Sequence, residues 1–240
     1  MRFIFAACLL FMHSTLTAAE LRIASAANFY PTLQKITTEY AKQTGHTVTI
    51  IRGSTGKLYA QIMRGAPYDL FLSADSLRAE KLVANKRSMN EAAEIYAIGQ
   101  LALWKPNADS AQQLKQLLQS GVFKKLAVAN PKTAPYGKAA IETLKAMGLY
   151  TKVKNRLVYG ENISQTLQFV ESGAADLGFV ARSHVNAQVY YSVDNKMHQP
   201  IEQKMLVLKQ TTEAAVAADF MRFVQSPEIQ KIIKQDGYDL

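Results

Sequence analysis

Short apolar runs alternate with amphipathic helical stretches along nearly the whole chain, and this alternation restricts the fold more than any other feature. Residues 21–25 and 47–51 are predicted strands, and predicted helices follow them at residues 29–44 and 57–64. Apolar residues that recur every three or four positions indicate the helices, whereas continuous apolar runs indicate buried strands. Strands that alternate with helices at this spacing predict parallel sheets covered by helices on both faces.

The alternation occurs in two runs that meet near residue 100, where a long β-like run covers residues 95–104. A strand predicted at residues 204–209 is followed only by C-terminal helices. We therefore predict an α/β protein of two lobes, each a mostly parallel sheet flanked by helices, with two crossing strands as the hinge. The predicted bounds are residues 20–98 with 207–240 for lobe 1, and 99–206, hinge strands included, for lobe 2. Ligands of such sheets bind at the carboxyl ends of the strands, which places the predicted site between the lobes.

The first nineteen residues differ from the rest and are typical of a secretory signal peptide. Arg2 precedes an almost unbroken apolar run at residues 3–12, and small residues lead up to Ala19. We expect cleavage after Ala19, because the apolar segment is too short to span a membrane. Cys8, the only cysteine, falls inside this segment. The processed chain would then have no disulfide and no thiolate metal site.

Four strand-to-helix junctions carry small or polar residues directly before a predicted helix. They are Ala26-Ala27-Asn28, Gly53-Ser54-Thr55-Gly56, Ala134-Pro135-Tyr136-Gly137 and Asn162-Ile163-Ser164-Gln165. Amide groups at a helix N-terminus have no acceptor within the helix and together carry ~0.5 positive charge. Ordinary helix capping accounts for any one such junction. Two from each predicted lobe indicate a cleft that binds an anion through hydrogen bonds alone.

Sequence signals for nucleotide binding and catalysis are weak. Around Lys57 the chain is similar to a phosphate loop, but Ile51 and Leu58 stand where that loop requires Gly and Ser or Thr. No histidine has a partner at metal-ligand spacing, and no nucleophile elbow occurs. Asp69 and Asp75 flank one strand, where a capping or structural role is the ordinary one. We predict neither enzymatic activity nor a cofactor.

The charge of the chain is positive but scattered. Its formal net charge is +9, and no basic stripe is interleaved with aromatic residues, so we do not expect a nucleic-acid partner. A diffuse positive field would speed the encounter with a small anion. Plain solubility explains the same charge, and the sequence leaves both interpretations open.

In their order and spacing, the junctions resemble those of the periplasmic molybdate-binding proteins of ABC importers, the ModA family. The similarity covers the chain after the predicted signal, and the Pro-Tyr-Asp-Leu-Phe-Leu-Ser-Ala-Asp run at residues 67–75 and Asn130-Pro131 also carry it. It implies a two-lobed, type II-like periplasmic binding protein with a two-strand hinge. Such a protein captures molybdate or tungstate in the periplasm and delivers it to the membrane permease of an ABC transporter. We expect a monomer.

The resemblance also implies which residues bind the oxyanion. Its first junction supplies a side-chain and an amide donor at Asn28, with Ala27 beside it as a further candidate. Its second supplies the hydroxyl and amide of Ser54, and the third and fourth supply the backbone amides of Tyr136 and Ile163. Molybdenum would be held only as its oxyanion, through these same residues and without any direct metal ligand.

One position departs from the family pattern. Ala181 stands where some members have a tyrosine that binds the anion, so the resemblance implies four donor positions instead of five. Donors alone suit a fully deprotonated molybdate, whereas a protonated phosphate would need an acceptor. Sulfate or another tetrahedral oxyanion, and a sensory role in place of transport, remain as alternatives. A ferric site would require paired tyrosines, but Tyr190 and Tyr191 lie in a predicted strand, where aromatic residues are common.

Overall fold

The computed structural model describes residues 18–240, and residues 1–17, which contain most of the predicted signal peptide, lie outside the described residues. Ten strands follow one another along this part of the chain: β1 Glu20–Ala26, β2 Thr47–Gly53, β3 Leu70–Ser73, β4 Glu94–Gly99, β5 Leu101–Trp104, β6 Leu126–Ala129, β7 Leu157–Gly160, β8 Leu177–Ala181, β9 Tyr191–Ser192 and β10 Ile201–Val207.

Ten α-helices lie between and after these strands: α1 Tyr30–Thr44, α2 Thr55–Met63, α3 Ser76–Ala84, α4 Ala111–Ser120, α5 Pro135–Ala146, α6 Tyr150–Val153, α7 Ile163–Glu171, α8 Arg182–Val185, α9 Ala214–Val224 and α10 Pro227–Gln235. A 3₁₀ turn, Ala27–Phe29, leads directly into α1. The short helices α6 and α8 were not predicted, because a single turn is too short to show helical periodicity. No helix within residues 18–240 is long and apolar enough to cross a membrane.

The strands form two five-stranded sheets, one in each lobe. The first has the order β2-β1-β3-β10-β4 and the second the order β7-β6-β8-β5-β9. Three neighbouring strands in each sheet run parallel, and the remaining two join them in antiparallel pairing. The predicted two-lobed α/β fold is therefore confirmed, with sheets that are mixed where mostly parallel ones were expected.

The chain crosses between the lobes at Gln100. The predicted long β run at residues 95–104 is two strands, since β4 ends at Gly99 in the first sheet and β5 begins at Leu101 in the second. A side chain on Gly99 would collide with lobe 2, because an added Cβ would lie 2.3 Å from the hydroxyl oxygen of Tyr136. Glycine at this point lets Tyr136 reach from lobe 2 between the hinge strands.

The return to lobe 1 comes earlier than the predicted residue 207. All of β10 pairs with the first sheet, from Ile201 opposite Gly99 to Val207 opposite Leu70. The first residues of this strand were not predicted, because polar residues interrupt its apolar pattern. Gln203, for example, is a polar residue that is nevertheless fully buried. Sheet membership thus assigns β10 to lobe 1.

Apolar faces of the helices close each lobe's core. In lobe 1, α1 buries Leu33, Ile36 and Tyr40 against the sheet, at the spacing of one helix face. In lobe 2, α5 buries Leu144 beside Leu126 of β6. Burial of one such side chain contributes roughly 1.5–3 kcal/mol. These rigid layers fix the positions of the helix starts that face the cleft.

Candidate anion-binding site

A small cavity lies between the lobes, at the carboxyl ends of β1, β2, β3, β6 and β7. Its lining consists of small, polar or amide-presenting residues: Ala26, Ala27, Asn28, Gly53, Ser54, Thr55, Ala74, Ala134, Pro135, Tyr136, Asn162 and Ile163. All four predicted junctions are represented in this list. The structure thus brings together the five residues that the sequence singled out, and no charged side chain of residues 18–240 lines the cavity.

Four helix starts meet at the cavity, namely those of the Ala27–Phe29 turn, α2, α5 and α7. Pro135 occupies the first position of α5 and has no N–H group, so Tyr136 supplies the first amide of this helix. Gly137 lets α5 begin close to β6, because an added Cβ would lie 2.1 Å from the Ala129 carbonyl oxygen. Amides at these starts lack intrahelical acceptors, and the helix dipoles add positive potential at one point.

Ser54 has a buried hydroxyl group that nothing in the described chain satisfies. The residue is 2% exposed and precedes α2, yet its side chain makes no capping hydrogen bond. Among residues 18–240, its Oγ has no hydrogen-bond partner. Serine at this position ordinarily caps the helix, as Ser110 does for α4. Leaving a buried hydroxyl unpaired costs about 1–3 kcal/mol, so the site favours a ligand with an acceptor atom.

The side chain of Asn28 has partners at the hinge. Its Nδ2 donates to Gln203 Oε1 at 3.0 Å and to the Tyr238 hydroxyl at 3.2 Å. Both amide hydrogens are therefore used, which the sequence did not indicate. The backbone amide of Asn28, in the helical turn Ala27–Phe29, is then the candidate donor at this junction.

Asn162 and Thr55 are two further polar residues of the cavity lining, and both form hydrogen bonds within their own lobe. The Asn162 side chain accepts from Gln165 N at 3.0 Å and caps its own helix, as the ordinary interpretation of that junction predicted. The hydroxyl of Thr55 accepts from Ala74 N at 3.2 Å and keeps its proton for another acceptor. Thr55 was not among the predicted binding residues, although it directly follows Ser54 in the same junction. Ala181 is fully buried and does not belong to the cavity lining.

The lobes touch each other across the cleft, beside the cavity. Hydrogen bonds join lobe 1 to lobe 2 from Gly56 N to Thr133 O at 2.9 Å, from Arg78 Nη2 to Lys132 O at 2.8 Å, and from Ser164 Oγ to Ala27 O at 3.3 Å. An ion pair between Lys57 and Glu161 also spans the cleft. These contacts lie beside the junctions and surround the cavity.

Titratable groups behind the cavity are held in their neutral forms. Burial lowers the pKa of His184 to about 4, although hydrogen bonds to the backbone at Asn28 and Ala27 act in the opposite direction. Its Nε2 lies 3.1 Å from the Asn28 carbonyl oxygen and donates to it. Burial also raises the pKa of Tyr136 and Tyr238, so both hydroxyls keep their protons. Within residues 18–240, no group of three or more His, Cys, Asp or Glu residues is placed to hold a metal ion.

The chain is similar to known proteins over nearly its whole length. The profile of the bacterial extracellular solute-binding protein family matches residues 21–239. The chain belongs to this family. This solute-binding protein is 37% identical over 233 residues to the molybdate-binding protein ModA of Azotobacter vinelandii, with 93% of this chain and 91% of that protein covered. It is also 37% identical over 224 residues to the molybdate-binding protein ModA of Rhodobacter capsulatus, with 92% and 88% covered.

A solved structure of the Azotobacter vinelandii periplasmic molybdate-binding protein is similar to this solute-binding protein throughout. The TM-score is 0.87 at 37% identity, and the match covers 92% of this chain and 99% of that one. The ModA relationship predicted from the junction motifs is therefore confirmed, as is the two-lobed fold. The family is one of solute-binding transport proteins, and the coverage extends over both lobes and the cleft.

Proposed function

We propose that this protein is the periplasmic molybdate-binding component of an ABC importer. The observation that carries the proposal is the unpaired, buried hydroxyl of Ser54 at a cavity where four helix starts meet. Its relatives from Azotobacter vinelandii and Rhodobacter capsulatus are named as molybdate-binding proteins. Ser54, the amides of Asn28, Tyr136 and Ile163, and Ala27 beside them are the proposed oxyanion ligands.

The donor-only character of the lining favours molybdate over phosphate. Molybdate at neutral pH is a dianion whose four oxygens accept hydrogen bonds and whose surface offers no proton. No Asp or Glu of the described residues lines the cavity, so the proton of a phosphate would meet donors only. Tungstate has nearly the same size and charge as molybdate, and we expect it to bind as well. Sulfate is smaller, and a cavity shaped for the larger anion would leave its hydrogen bonds long.

Binding in this proposal proceeds by closure of the two lobes, without chemical conversion of the anion. Donors of lobe 1 are Asn28 and Ser54, and donors of lobe 2 are Tyr136 and Ile163. An anion that docks on one lobe supplies acceptors for the other, and so stabilises the closed form. The membrane permease would then recognise that closed form, with the protein acting as a monomer in the periplasm.

A thermal-shift and calorimetry screen of the secreted protein tests the proposal. Molybdate, tungstate, sulfate and phosphate are compared at equal concentration and ionic strength. Molybdate at about 100 times its Kd should raise Tm by roughly 5–10 °C, and tungstate should do the same. Sulfate in large excess should not displace molybdate. No response to molybdate would refute the proposal, and an equal response to sulfate would favour a general tetrahedral-oxyanion binder.

A further inference from the structure

The hydroxyl group of Tyr238 joins three groups from distant parts of the chain. It donates to the Asn28 carbonyl oxygen at 2.8 Å, and it accepts from Asn28 Nδ2 at 3.2 Å and from Ser183 Oγ at 3.1 Å. A phenolic hydroxyl has one proton and two further sites for acceptance, so its capacity is fully used. The ring is buried and packs edge-on against Phe29, with 5.5 Å between centroids.

Tyr238 lies on a C-terminal tail that runs along the hinge. Its neighbour Asp239 exchanges backbone hydrogen bonds of 2.7 and 2.9 Å with Ile98 of β4. The Asp239 carboxylate also accepts from Gln100 Nε2 at 2.7 Å. Because the chain crosses between the lobes at Gln100, this tail is anchored at the pivot, and the Tyr238 side chain extends from there to the turn that heads the cavity.

The same turn is contacted from lobe 2. Ser183 and His184 lie on α8, and both reach the Asn28 carbonyl oxygen, at 3.4 and 3.1 Å. The Ser183 hydroxyl has a single proton, which it donates over the shorter distance of 3.1 Å to the Tyr238 hydroxyl. Asn28 therefore lines the cavity while its carbonyl oxygen and side chain are bonded by groups of both lobes. A movement of α8 relative to lobe 1 must change the hydrogen bonds of a cavity residue.

We propose that Tyr238 is a positioning residue for oxyanion binding. Its hydroxyl holds Asn28 in the orientation that the site requires. Because Ser183 of lobe 2 donates to the same hydroxyl, a movement of lobe 2 changes the hydrogen bonds that orient Asn28. The inference rests on the proposed function, because it assumes that the cavity holds the anion. It assigns a binding role to a residue about 210 positions away from Asn28 in the sequence, a separation that no junction motif contains.

Tyr238→Phe tests this role, since it keeps the ring against Phe29 and removes only the hydroxyl. Radiolabelled molybdate bound to the purified protein is chased with excess unlabelled molybdate, and dissociation is followed by filter binding. The expected result is a dissociation rate about tenfold higher, with the association rate within about twofold of the original, because closure is what the hydroxyl stabilises. An unchanged dissociation rate would overturn the proposal.

Tyr40→Phe is the matched control for a purely structural effect. Its hydroxyl is part-buried and donates to an Asp219 carboxylate oxygen at 3.2 Å, with the Val216 carbonyl oxygen 3.4 Å away, so its contacts lie entirely within lobe 1. This variant should lose stability and keep the original dissociation rate. Equal acceleration in both variants would show general loosening and would contradict the positioning role of Tyr238.

A double-mutant cycle with Ser183→Ala then tests the path through Tyr238. Ser183→Ala should also accelerate dissociation, and the double variant should resemble Tyr238→Phe alone, because the serine acts through the hydroxyl that is already missing. Fully additive effects of the two substitutions on the dissociation rate would contradict the coupling of Ser183 to Asn28 through Tyr238. Failure of the unmodified protein to bind molybdate would refute the proposed function instead, so the two failures are distinguishable.

Discussion

The ammonium group of Lys57 lies 2.8 Å from a carboxylate oxygen of Glu161, and this ion pair links the first turn of α2 in lobe 1 to the β7–α7 junction of lobe 2. Both side chains are about half exposed, at 52% and 48%. Exposed pairs of this kind contribute about 0–1 kcal/mol. The contribution of this pair to folding stability is therefore small. Because the pair joins the two lobes, its contribution favours their closed arrangement.

Lys57→Met should raise the molybdate dissociation rate about two- to threefold, because one contact that favours closure is lost. Lys42→Met is the matched control, since Lys42 forms an ion pair of the same 2.8 Å length with Glu39 inside α1. Both changes remove one positive charge. Filter-binding kinetics in dilute buffer compare them, and identical effects of the two variants would contradict a role of the Lys57 pair in closure.

Ser54→Ala should weaken molybdate binding at least about tenfold, since it removes a desolvated hydrogen bond to the anion. Its ligand-free protein should be no less stable than the original, because the Ser54 hydroxyl caps no helix. Ser110→Ala makes the same chemical change at a hydroxyl that accepts from Gln113 N at 3.1 Å. That control should lose about 1 kcal/mol of stability and keep its affinity.

Calorimetry and urea unfolding measure both quantities on both variants. The site assignment fails if Ser54→Ala binds molybdate as tightly as the unmodified protein. It also fails if the loss of affinity in Ser54→Ala is matched by an equal loss in Ser110→Ala.

Gly137→Ala should damage the site through the backbone. The added Cβ would lie 2.1 Å from the Ala129 carbonyl oxygen and 2.6 Å from its carbon, neither of which is the end of a flexible side chain. The start of α5 must shift, at a cost of about 1–3 kcal/mol, and the Tyr136 amide shifts with it. Calorimetry should show weaker molybdate binding together with lower stability. Normal affinity in a destabilised Gly137→Ala protein would remove Tyr136 from the proposed donors.

Stability should fall as the pH drops below about 6.5, because His184 is buried in its neutral form. Its pKa falls from 6.5 to about 4 on folding, so between these values the unfolded chain binds the proton and the folded chain does not. The loss should reach roughly 1–2 kcal/mol at pH 5. His184→Gln keeps a donor for Asn28 and cannot titrate, so its stability should vary less over pH 5–7. Urea unfolding would count against this if both proteins showed the same pH dependence.

The sequence by itself determined the elements and the junctions that line the cleft. Continuous apolar runs and period-3.6 patterns are local, so nearly every strand and helix was predictable, and so were the junctions that contain Asn28, Ser54, Tyr136 and Ile163. Carboxyl ends of parallel strands share one edge of a sheet, which is why these residues could be expected to meet. The proposed anion chemistry rests on the donor character of these residues and on the resemblance of the junctions to those of the ModA family.

Only the tertiary structure decided which donors are free. The Asn28 side chain is occupied by Gln203 and Tyr238, 175 and 210 residues away, whereas the Ser54 hydroxyl has no partner within residues 18–240. The assignment of β10 to lobe 1 likewise depends on pairing with β3 and β4, because a strand pattern does not show which sheet the strand joins. Hydrogen-bond satisfaction and strand pairing are set by residues that folding brings together, and no local pattern encodes them.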